Sequence, residues 1–144
     1  MIDLETGHFR MADLASALKN RFGYDVKLVE LVGSIAIHGQ GNDIDVMVYV
    51  SVDAVIRLVE WLTQCDGWIE QTGNEEEYGP GDFRSFRDGD INLLMVWQDK
   101  TALSWLASVE MCKWLRVETR DQRVAVHQII MDGVSCDDVP EWKP

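Results

Sequence analysis

Basic residues are scarce. Thirteen Lys and Arg stand against 25 Asp and Glu in a chain of 144 residues, for a formal charge of −12 and a pI of about 4.5. Attraction to a phosphate backbone needs clustered positive charge, so a smooth nucleic-acid face is excluded and duplex DNA is not expected as a partner. A protein or a metal-bound nucleotide suits this balance better. Cysteine is also sparse. Cys65, Cys112 and Cys136 are odd in number and form no C-x-x-C pair, so they read as reduced thiols and not as a disulfide framework. No apolar run approaches the roughly 18 residues that cross a bilayer. The opening residues Met1 to Glu5 carry neither a basic leader nor an apolar stretch, and the expectation is a cytoplasmic protein without a membrane partner. Repeats, low-complexity segments and long linkers are missing too, which leaves one domain over residues 1–133 and a tail over 134–144.

What is present is a core. Hydrophobic residues make up 47% of the chain and charged residues 26%, the composition of a folded globular protein. Apolar spacing predicts a helix over 11–22, stopped by Gly23. A Val- and Leu-rich strand follows over Val26–Val32, then a glycine-bearing stretch to Asn42. The next strand, over 43–50, alternates Asp43, Asp45, Met47 and Tyr49 on one face with Ile44, Val46, Val48 and Val50 on the other. A helix over 52–64 is expected after Ser51, then a short strand over 68–72 and an acidic loop over 73–81. Strands over 83–87 and 90–97 flank Asp88-Gly89, read as a tight hairpin turn. Helices over 101–115 and 121–131, the second capped by Asp121, complete an α/β (α+β) arrangement: a mixed sheet of about five strands covered by helices.

Charge is unevenly spread. Between Asp66 and Asp99 nine acids face only Arg84 and Arg87, while Lys113, Arg116, Arg120 and Arg123 fall within eleven residues. The informative stretch runs from Gly33-Ser34 to Asp43-Ile44-Asp45, with His38, Gly39 and Gly41 between. Two residues apart on a strand, Asp43 and Asp45 project from one face, an arrangement that is costly unless a cation sits between the carboxylates. A pair of Mg²⁺ ions suits it, because each ion usually takes only one or two carboxylates plus substrate phosphates, and two-metal chemistry would follow. Gly33 lets the backbone approach a phosphate chain, and the Ser34 amide and hydroxyl can donate to its oxygens.

This pattern resembles the minimal nucleotidyltransferases of the DNA polymerase β-like superfamily, of bacterial and phage type. The resemblance covers roughly residues 26–97. It implies a nucleotidyltransferase-like fold, an NTP as substrate, and Mg²⁺ or Mn²⁺ on Asp43, Asp45 and a third carboxylate from a later strand. Asp90 is the best match for that third acid and Asn92 lies two residues on; an amide there could ligate a metal but could not take a proton. His38 and the bases Lys113, Arg116, Arg120 and Arg123 are candidates for the triphosphate. No base follows Gly33-Ser34 directly, where such proteins often carry one. His8 and His127 have no partner at metal spacing, and His127 reads as a packing residue. The six tryptophans read as core or interface.

The expected function is transfer of a nucleoside monophosphate from an NTP to a hydroxyl of a protein, a small molecule or an RNA end. Relatives of this size act in toxin–antitoxin pairs or phage genomes. The alternative is a catalytically degenerate acidic protein on the same fold that binds and neutralises a partner protein.

Overall fold

The strands form in the segments rich in β-branched and aliphatic residues. The computed structural model of the protein describes residues 1–72 and 83–132; the expected acidic loop over 73–81 and the tail over 134–144 lie outside the described residues. Elements in chain order are β1 (Ile2–Asp3), α1 (Leu4–Phe22), β2 (Val26–Val32), α2 (Gly33–His38), β3 (Gln40–Gly41), β4 (Ile44–Val50), α3 (Val55–Glu60), β5 (Ile69–Gln71), β6 (Phe83–Asp88), β7 (Ile91–Val96), α4 (Asp99–Leu115) and α5 (Arg120–Asp132). A five-stranded mixed sheet runs in the order β2-β4-β7-β6-β5, with β4 and β7 parallel and the other neighbours antiparallel. A separate two-stranded pairing joins β1 to β3. The expected mixed sheet of about five strands covered by helices is the architecture observed.

The two faces of the sheet bury different cores. Ile44, Val46, Val48 and Val50 of β4 pack with Leu14 and Leu18 of α1 and Leu58 of α3. On the other face, Met47, Leu94 and Val96 pack with Ala102, Trp105 and Val109 of α4, and α5 lies against α4. Because successive strand residues point to opposite sides, Asp45 shares the α4 face with Met47; Asp43 stands one residue before the strand, which begins at Ile44 and not at 43, and lines the same cavity as Asp45.

Several boundaries differ from expectation, each for a local reason. Helix α1 begins at Leu4 and not near residue 11, because the Asp3 carboxylate accepts from the Thr6 amide at 2.8 Å and caps it. That bond holds the Asp3 carboxyl below its ordinary value. The glycine stretch contains a helix, α2, which ends where Gly39 turns left-handed at φ 82. The expected helix over 52–64 is a 3₁₀ turn, then α3, then a π turn over Trp61–Cys65. Helix α5 is capped by Thr119 and not by Asp121: Thr119 Oγ1 accepts from the Gln122 amide at 3.2 Å, and Gln122 Oε1 accepts from the Thr119 amide at 3.1 Å. This is a reciprocal capping box.

The hairpin correction matters most. Asp88 pairs with Ile91, so the two turn residues are Gly89 and Asp90, with Gly89 at φ +61. The turn lies one residue later than Asp88-Gly89, and Asp90 belongs to it and not to the strand.

Candidate functional site

The pairing of β4 with β7 sets Asp45 opposite Asn92, and the pairing of β7 with β6 sets Asn92 opposite Arg87. Three strands thus bring three polar side chains into one row on the α4 face. Asn92 Nδ2 donates to Asp45 Oδ1 at 2.9 Å, and Arg87 Nη1 donates to Asn92 Oδ1 at 2.9 Å. Arg87 Nη2 reaches Asp43 Oδ1 at 2.7 Å, while its Nε donates to the Gly89 carbonyl at 3.0 Å. The Asn92 amide has one orientation that satisfies both neighbours, with its oxygen toward the guanidinium and its nitrogen toward the carboxylate. Arg87 and Asp43 are each about two-fifths exposed, at 37% and 43%, so solvent screening limits their pair to ~0–1 kcal/mol. Its consequence is positional: a guanidinium balances one of the two carboxylates.

Asp90 lies elsewhere. Its carboxylate accepts from Arg10 Nη2 of α1 at 2.9 Å, and its carbonyl accepts from the Ile44 amide at 2.7 Å. The strand begins at Ile91, so the alternation that aims Asn92 does not extend back to Asp90. The expected third carboxylate is therefore corrected in place: the side chain beside Asp45 is Asn92.

Above this row, β2 ends and α2 begins. Gly33 has φ +73, and a Cβ there would fall 2.2 Å from Asp45 Oδ2. Glycine is needed both for the backbone conformation and for the close approach of the aspartate. A Cβ on Gly41 would likewise fall 2.2 Å from Ser34 Oγ, so the second glycine of the connection makes room for the serine hydroxyl. Strand β1 pins that connection through Ile2 opposite Gly41.

Gly33, Ser34, Asp43, Asp45, Arg87 and Asn92 line one side of a cavity of about 390 Å³, with α4 and α5 on the other. That volume is in the range of small-molecule sites. Arg120 and Arg123, in the first turn of α5, face the acidic side across it. The Arg123 Nε is buried without a hydrogen-bond partner among the described residues, a donor suited to an anionic ligand. Cys112 also lines the cavity; burial pushes its thiol above the ordinary value, partly offset by the charge of Arg123.

The cavity thus gathers Gly33, Ser34, Asp43, Asp45 and Arg123 of the residues singled out in the sequence. It does not gather Asp90, His38 or Lys113. His38 ends α2 on the surface, and desolvation followed by the charge of Arg123 hold it below its ordinary value, which weakens it as a cation for phosphate at neutral pH. Lys113 is exposed, with its Nζ 3.3 Å from Glu110. Arg120, weighed together with Arg123 as a source of charge for the triphosphate, is gathered as well, and Arg87 is the member the sequence reading passed over. Arg87 carries a signal only once the hairpin register is known, since it is five residues from Asn92 along the chain and directly opposite it across the strands.

The donor set fits one divalent cation, on Asp43 and Asp45 with ligand phosphates completing the shell. It does not fit a pair of ions held by three carboxylates: no group of three or more His, Cys, Asp or Glu is gathered among the described residues.

No family model and no curated protein matches the chain. Among solved structures it is similar to the crystal structure of the conserved protein GrpB from Enterococcus faecalis, with a TM-score of 0.54 and 14% identity over 88% of this chain and 93% of that one. The likeness is one of fold, an α+β five-stranded mixed sheet consistent with a nucleotidyltransferase-like architecture. At that identity the likeness carries architecture only. Among the described residues, no helix is long and apolar enough to cross a membrane.

Proposed function

We propose that the chain binds a nucleoside triphosphate in this cavity together with one Mg²⁺ or Mn²⁺, and transfers the nucleoside monophosphate to a hydroxyl of a protein, a small molecule or an RNA end. The observation that carries this reading is the convergence of Gly33, Ser34, Asp43 and Asp45 on one wall with Arg120 and Arg123 on the wall across from it. A phosphate chain laid between them meets backbone and hydroxyl donors from one side and guanidinium groups from the other. Asp43 and Asp45 would hold the cation, whose chemistry when bound is to neutralise charge on the phosphates and polarise them toward attack. The acceptor oxygen bonds to the α-phosphorus, the bond from that phosphorus to the bridging oxygen breaks, and pyrophosphate leaves.

Asn92 cannot accept the hydroxyl's proton, so that proton passes to solvent or to the departing group, and slow turnover is expected. The same residue, with Arg87 already on Asp43, favours a second reading: a nucleotidyltransferase-fold protein that retains the cavity, has lost transfer, and engages a partner protein through its acidic surface.

Incubation with α-labelled NTPs, Mg²⁺ or Mn²⁺ and a cell lysate tests the proposal. Label should appear on an acceptor with the parent chain and vanish with Asp45→Asn, whose fold is checked by circular dichroism. A labelled acceptor formed equally by Asp45→Asn would end the enzymatic reading. Nucleotide binding without any labelled product would favour the second.

A further inference from the structure

Arg87 is bound to one of the two carboxylates assigned to a cation. Three bonds fix its guanidinium: Nε donates to the Gly89 carbonyl at 3.0 Å, Nη1 to Asn92 Oδ1 at 2.9 Å and Nη2 to Asp43 Oδ1 at 2.7 Å. The hairpin that carries it is anchored as well. The Asp90 carbonyl accepts from the Ile44 amide at 2.7 Å, and the Asp90 carboxylate accepts from Arg10 Nη2 at 2.9 Å. Backbone and side-chain bonds together thus aim a positive charge at Asp43.

Arg84 and Arg87 are the two bases between Asp66 and Asp99, and β6 places them differently. Arg84 stands opposite Met95, on the α1 side of the sheet, and pairs with Glu70 at 2.8 Å. Arg87 stands opposite Asn92 and lines the cavity. A divalent cation and a guanidinium on one carboxylate repel each other, so each weakens the other's hold there. With Arg87 in place, Asp43 and Asp45 offer a free metal ion less net negative charge than two carboxylates would. A guanidinium is also a strong bidentate partner for phosphate. Its bond to Asp43 is that of a solvent-screened pair, weak enough to be exchanged for a phosphate oxygen in the same cavity.

We propose that Arg87 is a resident counterion that guards the cation site of the unliganded chain and passes from Asp43 to the phosphate chain when metal and nucleotide enter together. The proposal rests on the reading that the cavity takes a nucleoside triphosphate. It makes the binding of metal and of nucleotide cooperative, because each favours the arrangement with Arg87 off Asp43.

Titration calorimetry on the full chain tests it, with Mn²⁺ alone and with the Mn²⁺ complexes of ATP, GTP, CTP and UTP. Arg87→Met removes the charge and keeps much of the side chain's length. It should bind Mn²⁺ alone about tenfold tighter than the parent, and the parent's best Mn²⁺–NTP complex about tenfold weaker. Arg84→Met removes an equal charge from the other face of the same strand and should change neither affinity by more than about twofold. A second readout needs only the parent fold. The Arg87 Nε–H resonance, assigned by its absence from Arg87→Lys, should stay in place with Mg²⁺ alone and shift with the Mg²⁺ complex of that NTP. If the parent binds a metal–NTP complex, an Mn²⁺ affinity unchanged in Arg87→Met, or raised as much in Arg84→Met, would overturn the proposal and leave the nucleotide site standing. So would an Arg87 resonance unmoved by the complex. Failure of all four complexes to bind the parent would overturn the nucleotide reading and the exchange with it.

Discussion

Gly33 is the residue on which the site's geometry turns. Its positive φ and the 2.2 Å that would separate an added Cβ from Asp45 Oδ2 make two separate demands for glycine. Gly39 makes only the first, with φ +82 and open space around the missing Cβ. Gly39→Ala should therefore cost about 1–3 kcal/mol of backbone strain, and Gly33→Ala should cost more in urea unfolding because Asp45 must also move. Nucleotide-dependent stabilisation should survive the first substitution and be lost in the second; equal losses in both would show that Asp45 is not held against Gly33. Asn92→Asp gives the opposite sign. It places a third carboxylate beside Asp45, destabilises the chain without metal, and should tighten Mn²⁺ binding by about tenfold or more. Unchanged Mn²⁺ affinity, read by titration calorimetry, would mean that this row is not where a cation sits. Asp43 and Asp45 were legible in the sequence because a two-residue spacing at the entrance of an alternating strand is a local fact, although the strand itself begins at Ile44. Asn92 was named there only as the alternative to Asp90, because the choice between them depends on where β7 begins and on its pairing with β4; Arg87 was not legible, because its place opposite Asn92 depends on the hairpin register.

At the scale of elements, the cap of α5 positions the basic side of the cavity. Thr119 and Gln122 satisfy each other's amides at the turn that carries Arg120 and Arg123. Thr119→Ala should lower stability by about 1 kcal/mol in chemical denaturation and weaken nucleotide binding along with it. Full stability after that change would mean the box does not hold the first turn. The strands β2 and β4 were readable from their Val and Leu content and alternation, and so were the long helices α4 and α5. The start of α1 escaped because Leu4 and Phe9 in its opening turns are exposed at 40% and 73% and add nothing to an apolar stripe. Helix α2 escaped because six residues between glycines are too few to show a period.

Across the whole molecule, a net charge of −12 opposes the approach of a bare polyphosphate, and the cavity meets this locally with Arg87, Arg120 and Arg123 along its walls. A divalent cation carried in with the nucleotide lowers the barrier further, so binding should depend on metal and nucleotide together. The most direct measurement is the thermal unfolding midpoint of the parent chain and of Asp45→Asn with each of the four NTPs, with and without Mg²⁺ or Mn²⁺. At a hundredfold excess over Kd the ligand contributes about 2.7 kcal/mol. The parent midpoint should rise by several degrees with at least one metal–NTP pair, with neither component sufficient alone and no rise in Asp45→Asn. No rise with any pair, or an equal rise in the variant, would contradict the account.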